Sequence, residues 1–145
     1  MLNPFAATDL APATAMFHEI FKNPPWSYDW ITKEKIADYF ADLLHSPKSV
    51  CYTYTAGGVL SGVCFGAVGD CSPVPVYEIK EIFVRPDAQN QGLGSAMLKA
   101  IEADLKQKDI PAIRLYTLRT IPAFDFYLKN GFQEIAEAAA LSRTL

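Results

Sequence analysis

Gln89-Asn90-Gln91-Gly92-Leu93-Gly94-Ser95 joins an apolar, strand-like run over 79–84 to a helix-like run over 96–108. A glycine-bearing turn between a strand and a helix lets the backbone approach a ligand closely, because glycine has no side chain in the way. The free amide N–H groups of the helix's first turn point at the same place, and the helix dipole favours an anion there. The stretch therefore predicts a phosphate-binding turn.

Two familiar kinds of phosphate-binding turn do not match this stretch. A Walker loop closes with Gly-Lys-Ser or Gly-Lys-Thr, whereas Gly94 is followed by Ser95 and Ala96. A dinucleotide fingerprint needs a third glycine three residues after the second, where this chain has Met97. Taken by itself, the stretch also fits a flexible loop that caps an ordinary helix.

A second motif lies downstream: Ala123-Phe124-Asp125-Phe126-Tyr127-Leu128-Lys129-Asn130-Gly131-Phe132. With both stretches in place, the chain resembles the GNAT acyltransferase superfamily, whose members transfer an acyl group from coenzyme A. The family's Gln/Arg-x-x-Gly-x-Gly/Ala motif is matched over 89–94, and its Ala-x-x-Phe-Tyr-x-x-x-Gly-Phe motif over 123–132. The lead-in Ile82-Phe83-Val84-Arg85-Pro86 also fits the family.

Length and composition predict a single domain over 1–145. The chain has 145 residues, of which 50% are hydrophobic and 20% charged, which is enough for one core and too little for two domains. It contains no apolar run of about 18 residues or more, so no segment is expected to span a membrane. Residues 1–5 lack the basic start and apolar core of a signal peptide, so we expect a cytoplasmic protein.

Charge and ligand-type residues argue against nucleic acid and metals as partners. The formal net charge is −3 and no basic face is evident, so nucleic acid is not expected. The cysteines Cys51, Cys64 and Cys71 form no C-x-x-C pair, which argues against a disulfide framework or a zinc site. Cys51 and Cys64 lie in apolar strand patterns and are expected to be buried small hydrophobic residues. His18 and His45 lie near no carboxylate cluster, so no metal is expected.

Periodicity and turn residues predict the order of the elements. Helices are expected from the cap Thr8-Asp9 to 21, from the cap Thr32 to 44, over 96–108, and from Pro122 to 130. Strands are expected over 2–5, 50–55, 59–68, 76–84, 112–118, 132–136 and 141–145, with a loop over 69–75. This βααβββαβαββ order is the one the GNAT fold uses. The resemblance implies an α/β (α+β) domain whose mixed central sheet splays between its fourth and fifth strands, with flanking helices.

The resemblance assigns a set of residues to the coenzyme. The backbone groups expected to pair with the pantetheine arm, as though it were another strand, are those of Ile82, Phe83 and Val84. The amides expected to hold the pyrophosphate are those of Gln91, Gly92, Leu93, Gly94 and Ser95. Gln89 shapes the mouth of the turn, and Ala123 and Thr120 complete the coenzyme site. Thr120 stands where the family often has an asparagine, so that contact differs from the family's.

Acyl transfer to an amine needs a base, a donor for the developing negative charge and a proton for the departing thiolate. Tyr127 occupies the position of the family's general acid, and a phenol of pKa about 10 is matched to a thiol of pKa about 8.5. The alternative for Tyr127 is simple packing beside Phe126. Glu78 and Glu81 are candidate bases or solvated strand carboxylates. Their odd separation predicts opposite faces, so that only one faces the acceptor, and we favour Glu78.

The loop over 23–30 is the candidate acceptor site. Trp26, Tyr28 and Trp30 offer aromatic faces that attract cations, and Asp29 adds a carboxylate. The alternative is that the tryptophans anchor a lid over the core. The resemblance implies an acetyl-CoA-dependent N-acetyltransferase that acts on a primary amine of a small molecule or peptide by direct attack in a ternary complex. A homodimer is possible. The alternatives are a non-catalytic acyl-CoA-binding or sensing module and a nucleotide- or phosphate-binding regulatory domain.

Overall fold

A computed structural model describes residues 1–69 and 73–145. Cys71 and the centre of the predicted loop over 69–75 lie outside these residues. Within them the chain forms a five-stranded sheet in sequence order. Its strands are β1 (Leu2–Pro4), β2 (Tyr52–Ala56), β3 (Val59–Gly69), β4 (Val76–Val84) and β5 (Ala112–Leu115). Neighbouring strands from β1 to β4 pair antiparallel, and β4 pairs with β5 in parallel, so the predicted mixed sheet is confirmed.

In the described part of the chain four α-helices flank the sheet, and the residues at their ends explain where they begin and stop. They are α1 (Leu10–Phe21), α2 (Lys33–His45), α3 (Leu93–Gln107) and α4 (Pro122–Lys129). The Thr32 side chain caps α2 by accepting a hydrogen bond from the Lys35 amide at 3.3 Å. Proline at its first position starts α4, and Gly131, at φ +87°, follows its end. None of the helices in the described ranges is both long and apolar enough to cross a membrane.

The two strands predicted after α4 are not formed. The described residues from 130 to 145 contain no strand, so the prediction over 132–136 and 141–145 is wrong. Ile135 is 52% exposed and Leu141 94% exposed, so the apolar positions of this segment bury little surface. The intervening run Ala136-Glu137-Ala138-Ala139-Ala140 consists of residues with low β-propensity. An alternation of apolar and polar residues was therefore not sufficient to form a strand in this segment.

The core is divided between the two faces of the sheet. On the face covered by α1 and α2, most of the large buried side chains are aromatic: Phe17, Phe21, Phe40, Phe65 and Phe83. On the face covered by α3, the buried residues are mainly aliphatic, and they include Tyr77, Ile79, Met97, Leu98 and Ile101. Cys64 is buried on this second face, as predicted, and Cys51 is half-buried.

A β-bulge in β4 decides which way its glutamates point. The β3–β4 ladder pairs Phe65 with Glu81 and Gly66 with Ile79, which leaves Lys80 without a partner. The extra residue shifts the alternation, so Glu78, opposite Ala67, and Glu81, opposite Phe65, both lie on the face that carries α1 and α2. The prediction that the two glutamates lie on opposite faces is wrong, because the period of two holds only in a regular strand.

The sheet opens between β4 and β5, as predicted. Their parallel ladder runs from the pair Val76–Ala112 to the pair Ile79–Leu115. Beyond it β4 continues to Val84 with no strand on that side among the described residues. Backbone groups at the end of β4 are therefore left without β5 as a partner, and an extended ligand can pair with them.

Candidate functional site

A cavity of about 410 Å³ lies where β4 parts from β5. The end of β4, the turn before α3, the start of α4 and the end of α1 all contribute to its wall. Ten residues identified from the sequence line it: Trp26, Ile82, Phe83, Val84, Gln89, Gly92, Gly94, Ser95, Ala123 and Tyr127. The arrangement brings the two sequence motifs together around one space, although they lie far apart in the chain.

Several other lining residues were not identified from the sequence. They are Ile20, Phe21, Ala88, Asn90, Pro122 and Phe126. Asn90 and Phe126 lie inside the two motifs, so their place in the motifs could have identified them. Ile20 and Phe21 carry no such signal, because an apolar residue near the end of a helix is most simply expected to be a core residue.

The remaining predicted residues lie outside this lining. Leu93 begins α3, and the Gln91 side chain donates a hydrogen bond to the Asp87 carbonyl at 2.7 Å. Thr120 is exposed and lines a separate cavity of about 790 Å³ between β5, α4 and residues 133–140, a cavity that also reaches Tyr127. The other residues outside the lining are Tyr28, Asp29, Trp30, Glu78 and Glu81.

The turn before α3 has the backbone geometry of an anion site. Gly92 has φ +78°, a left-handed conformation that favours glycine, and a Cβ added there would meet no atom within 4 Å. No side chain caps α3 at Gly92. The amides of the first helical turn have no intrahelical acceptor, and Gly92, Gly94 and Ser95 of this turn line the cavity, so free donors and the positive end of the helix dipole lie at its wall. The Gln89 side chain steadies the turn by donating to the Val84 carbonyl at 3.4 Å.

Tyr127 faces this cavity from α4 with its ring held between two aromatic neighbours. Its ring centroid lies 5.4 Å from that of Phe126 and 5.5 Å from that of Phe132. Its hydroxyl makes no hydrogen bond to any described residue, so it is available to a ligand. Burial, and then the nearby Cys64 and Glu81, raise the pKa of Tyr127 above its ordinary value. The expectation of an ordinary phenol is wrong, because it ignored burial.

Glu81 and Glu78 share a face but have different surroundings. The Tyr39 hydroxyl of α2 donates a hydrogen bond to Glu81 Oε1 at 2.9 Å. Burial raises the pKa of Glu81, and the bond from Tyr39 opposes that shift in part. Glu78 Oε2 instead forms an ion pair with Lys80 Nζ at 2.5 Å near the surface. Glu81 is thus the more desolvated carboxylate, and it directly precedes the cavity-lining residues Ile82 and Phe83.

The aromatic residues of the loop after α1 form a chain that leads outward from the cavity. Trp26 lines the cavity and packs on Phe21, with ring centroids 4.6 Å apart. Tyr28 lies parallel to Phe21 at 6.3 Å, and Trp30 meets Tyr28 edge-on at 6.0 Å. Trp30 is 67% exposed. Trp26 is therefore partly anchored in the core, whereas Trp30 is free to contact another molecule.

Potential metal ligands are dispersed in the part of the chain that the structure describes. No group of three or more His, Cys, Asp or Glu side chains there is arranged to hold a metal ion. His45 is exposed at the end of α2, where its Nδ1 lies 2.7 Å from the Ala41 carbonyl. His18 is half-exposed on α1.

Comparison with known proteins identifies the family to which the chain belongs. A family model described as "Acetyltransferase (GNAT) family" matches residues 14–132. No curated protein matches the sequence. A possible acetyltransferase from Clostridium difficile 630 has a similar fold, with a TM-score of 0.81 and 15% sequence identity, and the likeness covers 100% of this chain and 97% of that chain.

Two further solved structures have similar folds, and the first of them is an aminoglycoside acetyltransferase. One, from an uncultured soil metagenomic sample, has a TM-score of 0.73 and 18% identity over 100% of this chain and 95% of that chain. The other, AAC(6')-Iy in complex with the bisubstrate analogue CoA-S-monomethyl-acetylneamine, has a TM-score of 0.74 and 17% identity over 100% of this chain and 97% of that chain. At these identities the likeness shows a common fold.

Proposed function

The chain belongs to the acetyltransferase (GNAT) family and is therefore an acyltransferase, and we propose that it transfers the acetyl group of acetyl-CoA to a primary amine of a small molecule or peptide. One observation carries this proposal. A single cavity joins the free end of β4, the uncapped start of α3 and the unpartnered hydroxyl of Tyr127. Acyl transfer from coenzyme A needs a strand edge for the pantetheine arm, amides for the pyrophosphate and a donor near the sulfur.

The coenzyme would lie along this cavity from the turn before α3 to the end of β4. The amides of residues 91–95 would hold the pyrophosphate, with Gln89 at the mouth of the turn. The pantetheine arm would pair with the backbone of Ile82, Phe83 and Val84, and Ala123 would contact it from α4. Thr120 stays a prediction from the sequence, because it lines a different cavity.

The acetyl group would pass directly from sulfur to nitrogen in a ternary complex. The amine nitrogen forms a bond to the carbonyl carbon, the C–S bond breaks, and the proton lost by the amine passes to a base. A covalent intermediate on Cys51 or Cys64 is disfavoured, because burial raises the pKa of both thiols and a thiol must ionise to act as a nucleophile. Tyr127 would donate a hydrogen bond to the departing sulfur, and its raised pKa keeps it protonated at neutral pH.

Glu81 is better placed than Glu78 to serve as that base. Desolvation strengthens a carboxylate as a base, and it raises the pKa of the half-buried Glu81. Glu78 is engaged by Lys80 at the surface. Since Glu81 does not itself line the cavity, a water molecule would carry the amine proton to it.

The acceptor would bind on the aromatic side of the cavity. Trp26, Tyr28 and Trp30 present rings that attract a cation, and Asp29 adds a negative charge beside them. Aminoglycosides, the polycationic amines named for a protein of similar fold, are the first acceptor class to test. A cytoplasmic location and a homodimer stay predictions from the sequence.

Ligand-dependent stability and turnover test the proposal together. Acetyl-CoA at about 100 times its dissociation constant should add roughly 2.7 kcal/mol to the free energy of unfolding, and ATP should add little. An amine panel that includes aminoglycosides should then release free thiol from acetyl-CoA. A stability shift without turnover on any amine would favour the acyl-CoA-sensing module, and a shift with ATP but no coenzyme A derivative would favour the nucleotide-binding domain.

A further inference from the structure

The geometry assigns Tyr39 as a positioning residue for Glu81: its hydroxyl fixes one oxygen of the carboxylate and leaves the other for the reaction. This inference rests on the proposed acetyl transfer with Glu81 as its base. Tyr39 lies on α2, far in sequence from β4, and outside both family motifs.

The Tyr39 ring lies at the edge of the aromatic core, and its hydroxyl is bonded to Glu81. The Tyr39 ring packs on Phe40, with centroids 5.9 Å apart, and Phe40 is fully buried. Phe40 in turn stacks on Phe83, with ring centroids 6.0 Å apart. Phe83 lines the cavity and follows Glu81 by two residues on β4. The inner side of the Tyr39 ring is therefore in contact with the cluster that includes the end of β4, while Tyr39 itself is 37% exposed.

The hydrogen bond uses only part of what the carboxylate can accept. An ionised carboxylate has two oxygens and about four acceptor positions. The Tyr39 hydroxyl lies 2.9 Å from Oε1, and no other described residue donates to Glu81. Fixing Oε1 restricts rotation of the carboxylate, so Oε2 stays in one orientation. When a base accepts a proton through a water molecule, the reaction is faster if the accepting oxygen is held in one orientation.

The same bond sets the pH range in which Glu81 is a base. The titratable groups facing Glu81 are Tyr39 from α2 and Tyr127 from α4, while β3 presents the apolar Phe65. On its own strand, Glu78 and Lys80 are paired with each other. Removing the Tyr39 hydroxyl removes a donor to the charged form of Glu81, so the pKa of Glu81 should rise.

The decisive experiment compares Tyr39→Phe with Tyr52→Phe. Tyr52 Oη also donates to a carboxylate, Asp104 Oδ2 at 2.6 Å, but it does so between β2 and α3 and outside the cavity. A hydrogen bond to a charged group is worth about 1.5–3 kcal/mol. For acetyl transfer we therefore expect Tyr39→Phe to lower kcat roughly 10- to 100-fold, leave KM for acetyl-CoA unchanged and move the acidic limb of the pH profile to higher pH. Tyr52→Phe should keep the wild-type profile.

A double-variant cycle separates positioning from a structural role. In the Glu81→Gln background, Tyr39→Phe should cause no further loss of kcat, since Tyr39 acts through the Glu81 carboxylate. Tyr39→Gln, which keeps an N–H donor, should retain more activity than Tyr39→Leu, and this pair supplies the test if Tyr39→Phe folds poorly. The inference about Tyr39 would be overturned if Tyr39→Phe left the pH profile unchanged, or if it lowered kcat equally in the wild-type and Glu81→Gln backgrounds. The proposed function would stand in either case. A folded wild type that binds acetyl-CoA but acetylates no amine would overturn the proposed function as well.

Discussion

Gly94 of α3 lies directly against Phe126 of α4, where a Cβ atom on Gly94 would come within 3.0 Å of Phe126 Cζ. The two residues belong to different sequence motifs, and their contact brings the start of α3 beside Tyr127. From the sequence, this glycine is explained by close approach of a ligand. The structure adds a packing reason: a larger residue at position 94 would push α4 away from the cavity.

Gly94→Leu should therefore lower both stability and turnover. Overpacking a close contact costs about 1–3 kcal/mol, and any relief by movement of α4 displaces Tyr127 from the cavity. Thermal unfolding and the acetyl-transfer rate measure the two effects. Ala103→Leu, an enlargement on the exposed face of the same helix, serves as the control and should change stability by less than about 0.5 kcal/mol. Wild-type turnover in Gly94→Leu would show that the contact does not position α4.

Gly92→Val should weaken coenzyme binding at the turn. A β-branched residue at φ +78° is strained by about 1–2 kcal/mol, so the turn should relax to a different backbone and misdirect its amides. The matched control is Gly57→Val in the β2–β3 turn, where φ is +58° and a Cβ likewise meets nothing within 4 Å. Both variants should lose similar stability, but only Gly92→Val should raise the dissociation constant of acetyl-CoA in a calorimetric titration. If Gly92→Val and Gly57→Val bound acetyl-CoA with equal affinity, the turn before α3 would not be part of the coenzyme site.

Local sequence patterns predicted most of the elements in this fold. The Thr32 cap, the glycine turn between β2 and β3 and the strand over 76–84 depend on neighbouring residues, and the structure confirms them within a few positions. Asp9 precedes α1 as predicted, but its side chain does not cap the helix. The predicted strands after α4 failed because alternation says nothing about a pairing partner. Residues 136–140, with four alanines and one glutamate, offer little that a sheet could bury.

The candidate site was less predictable, because its geometry depends on contacts between distant segments. The motif residues of the cavity carry a local signature, so they could be named. The bulge at Lys80 arises from the register between β3 and β4, which the sequence of β4 alone does not contain. The bond between Tyr39 and Glu81 joins residues 42 positions apart, and no local pattern marks it.

Tyr127→Phe should lower turnover by roughly 10²- to 10⁴-fold while leaving the dissociation constant of acetyl-CoA nearly unchanged. The phenol supplies a donor to the leaving sulfur, whereas the ring, which both residues share, supplies the packing with Phe126 and Phe132. Because burial raises the pKa of Tyr127, the wild-type rate should show no alkaline limb from this residue below pH about 10. Tyr116→Phe, at a position 80% exposed, is the control. Full activity in Tyr127→Phe would exclude its assigned role.

Glu81→Gln should make the protein less active but more stable at neutral pH. As the proposed base, Glu81 contributes roughly 10²- to 10⁴-fold to turnover, and an amide cannot replace it. Burial raises the pKa of Glu81 above its unfolded value of about 4.5. Between those two pKa values the folded state binds more protons than the unfolded state, so the stability contribution of Glu81 falls as the pH rises through its folded pKa.

Glutamine carries no charge at any pH, so the variant avoids this loss while its side-chain oxygen can still accept the bond from Tyr39. The gain in the free energy of unfolding should be present at pH 7–8 and should disappear below about pH 4, where the glutamate is protonated in both states. Urea unfolding at several pH values measures it. Glu78→Gln is the matched control, because that carboxylate is paired with Lys80 near the surface, and it should leave turnover little changed. A larger loss of turnover in Glu78→Gln than in Glu81→Gln would move the base to Glu78, since the bulge places both carboxylates on the acceptor's face of the sheet.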